Sequence, residues 1–195
     1  MATRLLFLLL IVDLTAGSCA ALASRTVEDT CAKAMAGGQH QDLTLFCVSS
    51  LEAAPGSDGA DARGLATIAT NLTLANYTAA VATIKALQLR GGWSPAQRAA
   101  LATCRTRYIE ALNVVHSAVH ALATRRARDY VADMTVVADA AADCDEAFRA
   151  GAVAGAGTTT GKEADGGESS PMRKVDEDAI NLTNVAMLIV TSLGE

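Results

Sequence analysis

The residues best suited to metal or nucleophilic chemistry are three histidines and five cysteines, and their spacing decides what they can do. His116 and His120 stand four apart on a helical stretch, which could supply half of a zinc site. Ser117 occupies the place where a zinc-protease pattern needs glutamate, and no second pair of ligands completes the shell, so no metal is expected. The run from Gly155 to Lys162 resembles a phosphate loop but fails it twice, with Ala156 at the first required glycine and Glu163 after the lysine. Asp143, Asp145 and Glu146 beside Cys144 have the spacing of a solvated helix edge rather than of an acid–base pair. These failures predict no catalytic residue and no cofactor, and so a chain that is not an enzyme.

The cysteines suggest a structural role. Residues 1–23 combine a basic start at Arg4, an apolar run from Leu5 to Val12 and small residues before a cut near Ala20 or Ala23, the layout of a secretory signal peptide. Removing it takes Cys19 away and leaves four cysteines for an oxidising compartment. Cys104 lies on a stripe with Leu101, Tyr108, Leu112, Val115, Val119 and Leu122. Cys144 lies on a second stripe with Tyr130, Met134, Val137, Ala141 and Phe148, each at helical steps of three and four. The midpoint of 104 and 144 falls at a polar break around Arg125, so the two cysteines face each other at one height of an antiparallel helix pair, within disulfide reach. The same argument pairs Cys31 with Cys47 across Gly37 and Gly38. Free buried thiols are the alternative.

The elements that carry these residues are helical. Alanine dominates an apolar content of 51%, aromatics make up 4%, and the three prolines, at 55, 95 and 171, stand outside the periodic stretches. Ser24 to Leu51 predicts a small helical hairpin, with Asp42 as a helix cap. From Asp61 a long stripe follows through Leu65, Ile68, Leu72, Ala75, Ala79, Ala82, Ala86 and Leu89. Gly91 and Gly92 end it, Ser94 and Pro95 start the next helix, and residues 151–171 are expected to form a flexible loop. Val175, Ala179, Leu182, Ala186, Ile189 and Leu193 make a last stripe. The expected fold is all-α: an up-and-down antiparallel four-helix bundle preceded by a disulfide-stapled helical hairpin over 24–60, all in one domain from 24 to 195.

A formal net charge of −5 argues against nucleic acid and anionic membranes as partners, since both need a basic face. Asn71, Asn76 and Asn181 begin N-x-T sequons, glycosylation sites if the chain is secreted. The turn before Tyr130 offers Arg128, Asp129 and Tyr130, and guanidinium and aromatic groups are enriched where proteins bind proteins.

Several segments match a known family. CVSSLEAAPGSDGADARGL from Cys47, its continuation ATIATNLTLANYTAAVATIKAL, the arm VVADAAADCDEAF, the closing DAINLTNVAMLIV and the four-cysteine layout together resemble the plant invertase and pectin methylesterase inhibitor family, most nearly its pollen-type branch. The resemblance implies an apoplastic, secreted inhibitor that forms a one-to-one complex, its bundle lying across the pectin-binding cleft of a pectin methylesterase. The family's invertase inhibitors use a Pro-Lys-Phe motif between the second and third bundle helices, and this chain has Arg128, Asp129 and Tyr130 there. Many of its pectin methylesterase inhibitors carry Gly-Asp-Tyr, which Asp129 and Tyr130 match at two of three positions. The family's threonine before the fourth cysteine is replaced by Asp143. The expected target is pectin methylesterase; inhibition of cell-wall or vacuolar invertase, or a non-inhibitory role in the wall or pollen, are the alternatives.

Overall fold

The computed structural model describes residues 25–37, 42–156 and 170–194, with backbone alone at 152–156. The proposed signal peptide at 1–23, His40 and residues 157–169 of the expected loop lie outside the described residues. All regular structure among the described residues is helical: α1 at 25–35, α2 at Leu43–Glu52, a 3₁₀ turn at Ser57–Gly59, α3 at Ala62–Arg90, α4 at Pro95–Ala123, α5 at Ala127–Ala156 and α6 at Arg173–Ser192. α5 runs through residues 151–156, which the sequence places in the loop. Four of those six residues are alanines or valines that continue a helix at little cost once a long one is formed.

Helices α3 to α6 form the bundle. α3 packs on α4, α4 on α5, α5 on α6 and α6 on α3, while the diagonal pairs α3–α5 and α4–α6 are not in broad contact, so the four stand as the corners of a square. Their ends are punctuated as the residue types demand. The Asp61 carboxylate accepts from the Gly64 amide at 2.7 Å, and Ser94 with Gln97 closes a reciprocal capping box ahead of Pro95. Gly91 and Gly92 take φ values of 69° and 78°, which a β-carbon would resist. Asp42 stands at the start of α2 but its side chain makes no capping bond.

Both disulfides form as the height argument requires. Cys31 joins Cys47 with Cα atoms 5.9 Å apart, tying α1 to α2. Cys104 joins Cys144 at 4.5 Å, inside the α4–α5 pair. All four cysteines are fully buried.

The core differs most from the expected stripe on α3. On α3, Ala75, Ala79, Ala82 and Ala86 are exposed, as is Leu89 at 79%. The buried face instead runs through Leu65, Ala66, Ala69, Thr70, Thr73, Tyr77, Ala80 and Ile84. Counting alanine as a core residue selected the wrong side. Alanine is nearly indifferent to burial, whereas a threonine on a helix can satisfy its hydroxyl on its own backbone. Thr70 and Thr73 do so, donating to the Ala66 and Ala69 carbonyls at 2.8 and 3.1 Å. On α4, Val119 is likewise half out in solvent, and Ala111, Ala118 and Ala121 fill the core in its stead. The α5 stripe is buried at every position.

Three buried tyrosines span the square along its diagonals. Tyr130 on α5 shares a 2.7 Å hydrogen bond with Thr70 on α3. Tyr77 on α3 donates to the Val137 carbonyl on α5 at 2.6 Å, and Tyr108 on α4 donates to Asp176 on α6 at 2.6 Å. The Tyr77 and Tyr108 rings meet at the centre, 5.0 Å apart. The many alanines in the core leave room for these long side chains, and each finds a polar partner for its hydroxyl.

Candidate functional site

The turn between α4 and α5 concentrates charge at one end of the bundle. Ala123 ends α4, and the chain reverses through Thr124, Arg125 and Arg126. The Arg126 amide bonds the Ala121 carbonyl at 2.9 Å and the Arg125 amide bonds the Leu122 carbonyl at 3.2 Å. This is a Schellman cap, a turn that places one residue in the left-handed region, usually glycine. Here that residue is Arg125, at φ 57°, the only non-glycine with positive φ among the described residues. A side chain in that conformation costs on the order of 1 kcal/mol relative to glycine.

Arg126 is tied down. Its Nε donates to the Thr124 hydroxyl at 3.1 Å and its NH1 pairs with Asp129 at 2.8 Å, both partners about half exposed. Such an ion pair shapes the turn more than it stabilises it. Among the described residues neither Arg125 nor Arg128 has an ion-pair partner. The face therefore presents two uncompensated guanidinium groups.

The structure separates the expected tripeptide. Arg128 and Asp129 are exposed, but Tyr130 has no exposed surface. It heads the α5 stripe, hydrogen bonded to Thr70 across the core, and burial pushes its phenol well above the ordinary range. Tyr130 is thus a core residue that cannot touch a partner from its place. The spacing was ambiguous, because the first residue of an apolar stripe and an exposed turn aromatic occupy the same position.

Beside the turn lies a groove between α3 and α4, of about 260 Å³, lined by Arg63, Thr67, Thr70, Asn71, Val119, Leu122, Ala123 and Arg125. Sequence reasoning missed it, because residues 63–71 and 119–125 meet only through the antiparallel packing of the two helices.

A second concave region lies between α5 and α6, lined by Asp145, Arg173, Asp176, Glu177, Ile180 and Asn181. Asp176 is 2% exposed. Its Oδ1 accepts from Tyr108, and its Oδ2 has no hydrogen-bond partner among the described residues. Burial lifts its carboxyl to about 7, only partly opposed by the Tyr108 hydrogen bond, and the charge of Asp145 adds to the rise. Burial, with the Asp176 carboxylate beside it, raises the Tyr108 phenol.

The remaining sequence candidates are dispersed. His116 and His120 are exposed on α4, and no cluster of metal-ligating residues occurs among the described residues. Of the sequon asparagines, Asn71 is exposed, whereas Asn76 and Asn181 are half-buried and the Asn76 Oδ1 is buried with no hydrogen-bond partner among the described residues. No helix among the described residues is long and apolar enough to cross a membrane.

A bundle with a stapled hairpin, no assembled catalytic group in this region and a charged turn matches a family model described as plant invertase/pectin methylesterase inhibitor, over residues 23–189. The chain belongs to that family. Two relatives from plane trees, each named "Putative invertase inhibitor", are 28% identical. The one from Platanus orientalis matches over 171 residues, 86% of this chain and 89% of its own length. The one from Platanus acerifolia matches over 178 residues, 90% of this chain and 89% of its own. Among solved structures, a mutant form of a pectin methylesterase inhibitor from Arabidopsis superposes with a TM-score of 0.58 at 18% identity, covering 76% of this chain and 88% of the other. A second pectin methylesterase inhibitor, from Arabidopsis thaliana, gives 0.52 at 18% identity over 76% and 87%. At that identity the likeness is one of fold. Membership of the plant invertase/pectin methylesterase inhibitor family makes the chain an inhibitor-type protein, of a kind typically secreted, whose partner is an enzyme of the pectin methylesterase or invertase type.

Proposed function

We propose that the protein inhibits a plant pectin methylesterase in the cell wall by lying across its pectin-binding cleft, one molecule to one, without doing chemistry of its own. The observation that carries this reading is the turn at 124–129. Its capping hydrogen bonds and the Arg126–Asp129 pair hold the turn in one shape on the bundle, so little freedom is lost on docking, and Arg128 and Asp129 stand exposed where the family's invertase inhibitors carry Pro-Lys. Tyr130 supports the turn from inside and makes no contact with the target. The second reading, inhibition of an acid invertase, is favoured by the names of the two plane-tree relatives.

Titration of the oxidised chain into purified plant pectin methylesterase and into acid invertase at mildly acidic pH separates the two. Loss of esterase activity that saturates at one equivalent, with invertase untouched, is the expected result. Loss of invertase activity alone transfers the assignment, and full activity of both enzymes across several isoforms ends the inhibitor reading. We also infer that Asn71, the exposed sequon asparagine, carries a glycan in part of the secreted protein. Mass spectrometry of the chain purified from plant tissue should find Asn71 both with and without an attached sugar chain, and a preparation with no glycan at Asn71 would refute this.

A further inference from the structure

We infer that the α3–α4 groove is a carboxylate-binding site that takes one ring of an acidic sugar, a uronate within a de-esterified pectin-type oligosaccharide. The first ground is Arg125. Its backbone adopts the one strained conformation among the non-glycine residues described, at a turn position that glycine occupies with ease. Its side chain lines the groove and has no ion-pair partner among the described residues. A residue held in an unfavourable conformation with an unspent charge points to a role outside the fold.

The second ground is the lining as a whole. Arg125 brings an unpaired guanidinium to the groove beside Arg63, which is itself engaged within the chain, and a guanidinium matches a carboxylate in shape as well as charge. Thr67 already donates its hydroxyl proton to the Arg63 carbonyl, so toward a ligand it is an acceptor for a sugar hydroxyl, whereas Thr70 is buried with its hydroxyl engaged by Ala66 and Tyr130 and only floors the groove. Asn71 adds an amide that donates and accepts. Val119, Leu122 and Ala123 give the groove an apolar wall, and Val119 is 37% exposed, a large aliphatic surface left open on α4. A guanidinium, acceptors and an apolar wall together suit the carboxylate, hydroxyls and C–H face of a uronate ring. An acidic protein side chain would use the guanidinium and leave the acceptors and the wall idle. The volume of about 260 Å³ holds a single ring rather than a folded segment of a partner.

The choice of a uronate rests on the esterase reading, because a pectin methylesterase turns a neutral methyl ester into this carboxylate. The site would hold the inhibitor on pectin that has already been processed. Asn71 lines the groove, so a glycan at that position would compete with the ligand.

The test is direct binding without any enzyme, so that it fails independently of the inhibition assay. The disulfide-bonded chain, produced without glycosylation, is titrated with a galacturonate oligosaccharide, with its fully methyl-esterified form and with a glutamate-rich peptide, and binding is followed by calorimetry. Arg125→Gly is the informative variant, since glycine suits the left-handed position and keeps the turn. Lys85→Gln, toward the other end of α3, removes the same charge and serves as the control. The expected result is binding of the acidic oligosaccharide, no binding of its ester, and about a tenfold loss in Arg125→Gly with no loss in Lys85→Gln. Equal binding of the ester, equal loss in both variants, or no binding at all overturns the site. Preferential binding of the peptide, lost in Arg125→Gly, assigns the groove to an acidic protein partner and overturns the sugar.

Discussion

A carboxylate buried against a phenol carries a pH dependence, and Asp176 sets its direction. Burial raises its folded value from an ordinary 3.8 to about 7, so over that interval the folded chain keeps a proton that the unfolded chain releases. Stability from this group is therefore complete below about pH 4, declines as pH rises and is gone above about pH 7, a change on the order of 4 kcal/mol. Of the groups facing it, Tyr108 from α4 opposes the rise by donating to the carboxylate, Asp145 on α5 adds to it, and Glu177 and Arg173 on α6 line the same region. Thermal melts between pH 4 and pH 8 should show a falling midpoint that is largely flattened in Asp176→Asn, which mimics the protonated acid. An unchanged slope in that variant would count against Asp176 as the source. Tyr130 gives a second test. Tyr130→Phe removes only the hydroxyl shared with Thr70 and should cost about 1 kcal/mol in denaturant unfolding while leaving inhibition intact. Tyr130→Ala opens a core cavity and should cost about 3–5 kcal/mol. Weakened inhibition in a fully folded Tyr130→Phe sample would mean that the phenol reaches the target after all.

The helices owe their limits to local residues and their stability to one another. Ser94, Pro95 and Gln97 define the start of α4, and Gly91 and Gly92 the end of α3, by rules that hold for any chain. Ser94→Ala should therefore cost about 1 kcal/mol, visible as earlier fraying in hydrogen exchange at residues 95–98. The α4–α5 staple acts on a larger scale, closing a separation of 40 residues. Replacing Cys104 and Cys144 together by serine should lower stability by about 4 kcal/mol on the chain-entropy model, and removing the Cys31–Cys47 bridge by about 3. Urea unfolding with a constant slope would measure both. Periodicity recovered the α5 face completely because large residues occupy every inward position. It failed on α3, where alanines stand on both sides and the inward choice fell to Thr70, Thr73 and Tyr77, residues that hydropathy does not mark as core.

At the scale of the molecule, an all-α bundle, the Ser94–Pro95 start of α4, its two staples and its family were legible in the chain, whereas Asp42 makes no capping bond. Helix periodicity, glycine and proline punctuation and cysteine spacing are local signals, and an antiparallel pair converts them into contacts by simple counting from the turn. Three properties were not legible. The phenols of Tyr77, Tyr108 and Tyr130 find their partners about 60 or more residues away, across diagonals that exist only once four helices stand together. Asp176 looks like a surface charge in the chain, and only the approach of α4 encloses it and raises its proton affinity. Tyr130 heads the α5 stripe in the chain and also stands at the turn, and only the packing of α5 with α3 shows it enclosed and bonded to Thr70. The sequence by itself determined which segments are helices and which cysteines can meet, because those depend on neighbours along the chain. Only the tertiary structure decided which polar groups are buried and which arginines line a groove, because those depend on residues that are distant in the chain and adjacent in space.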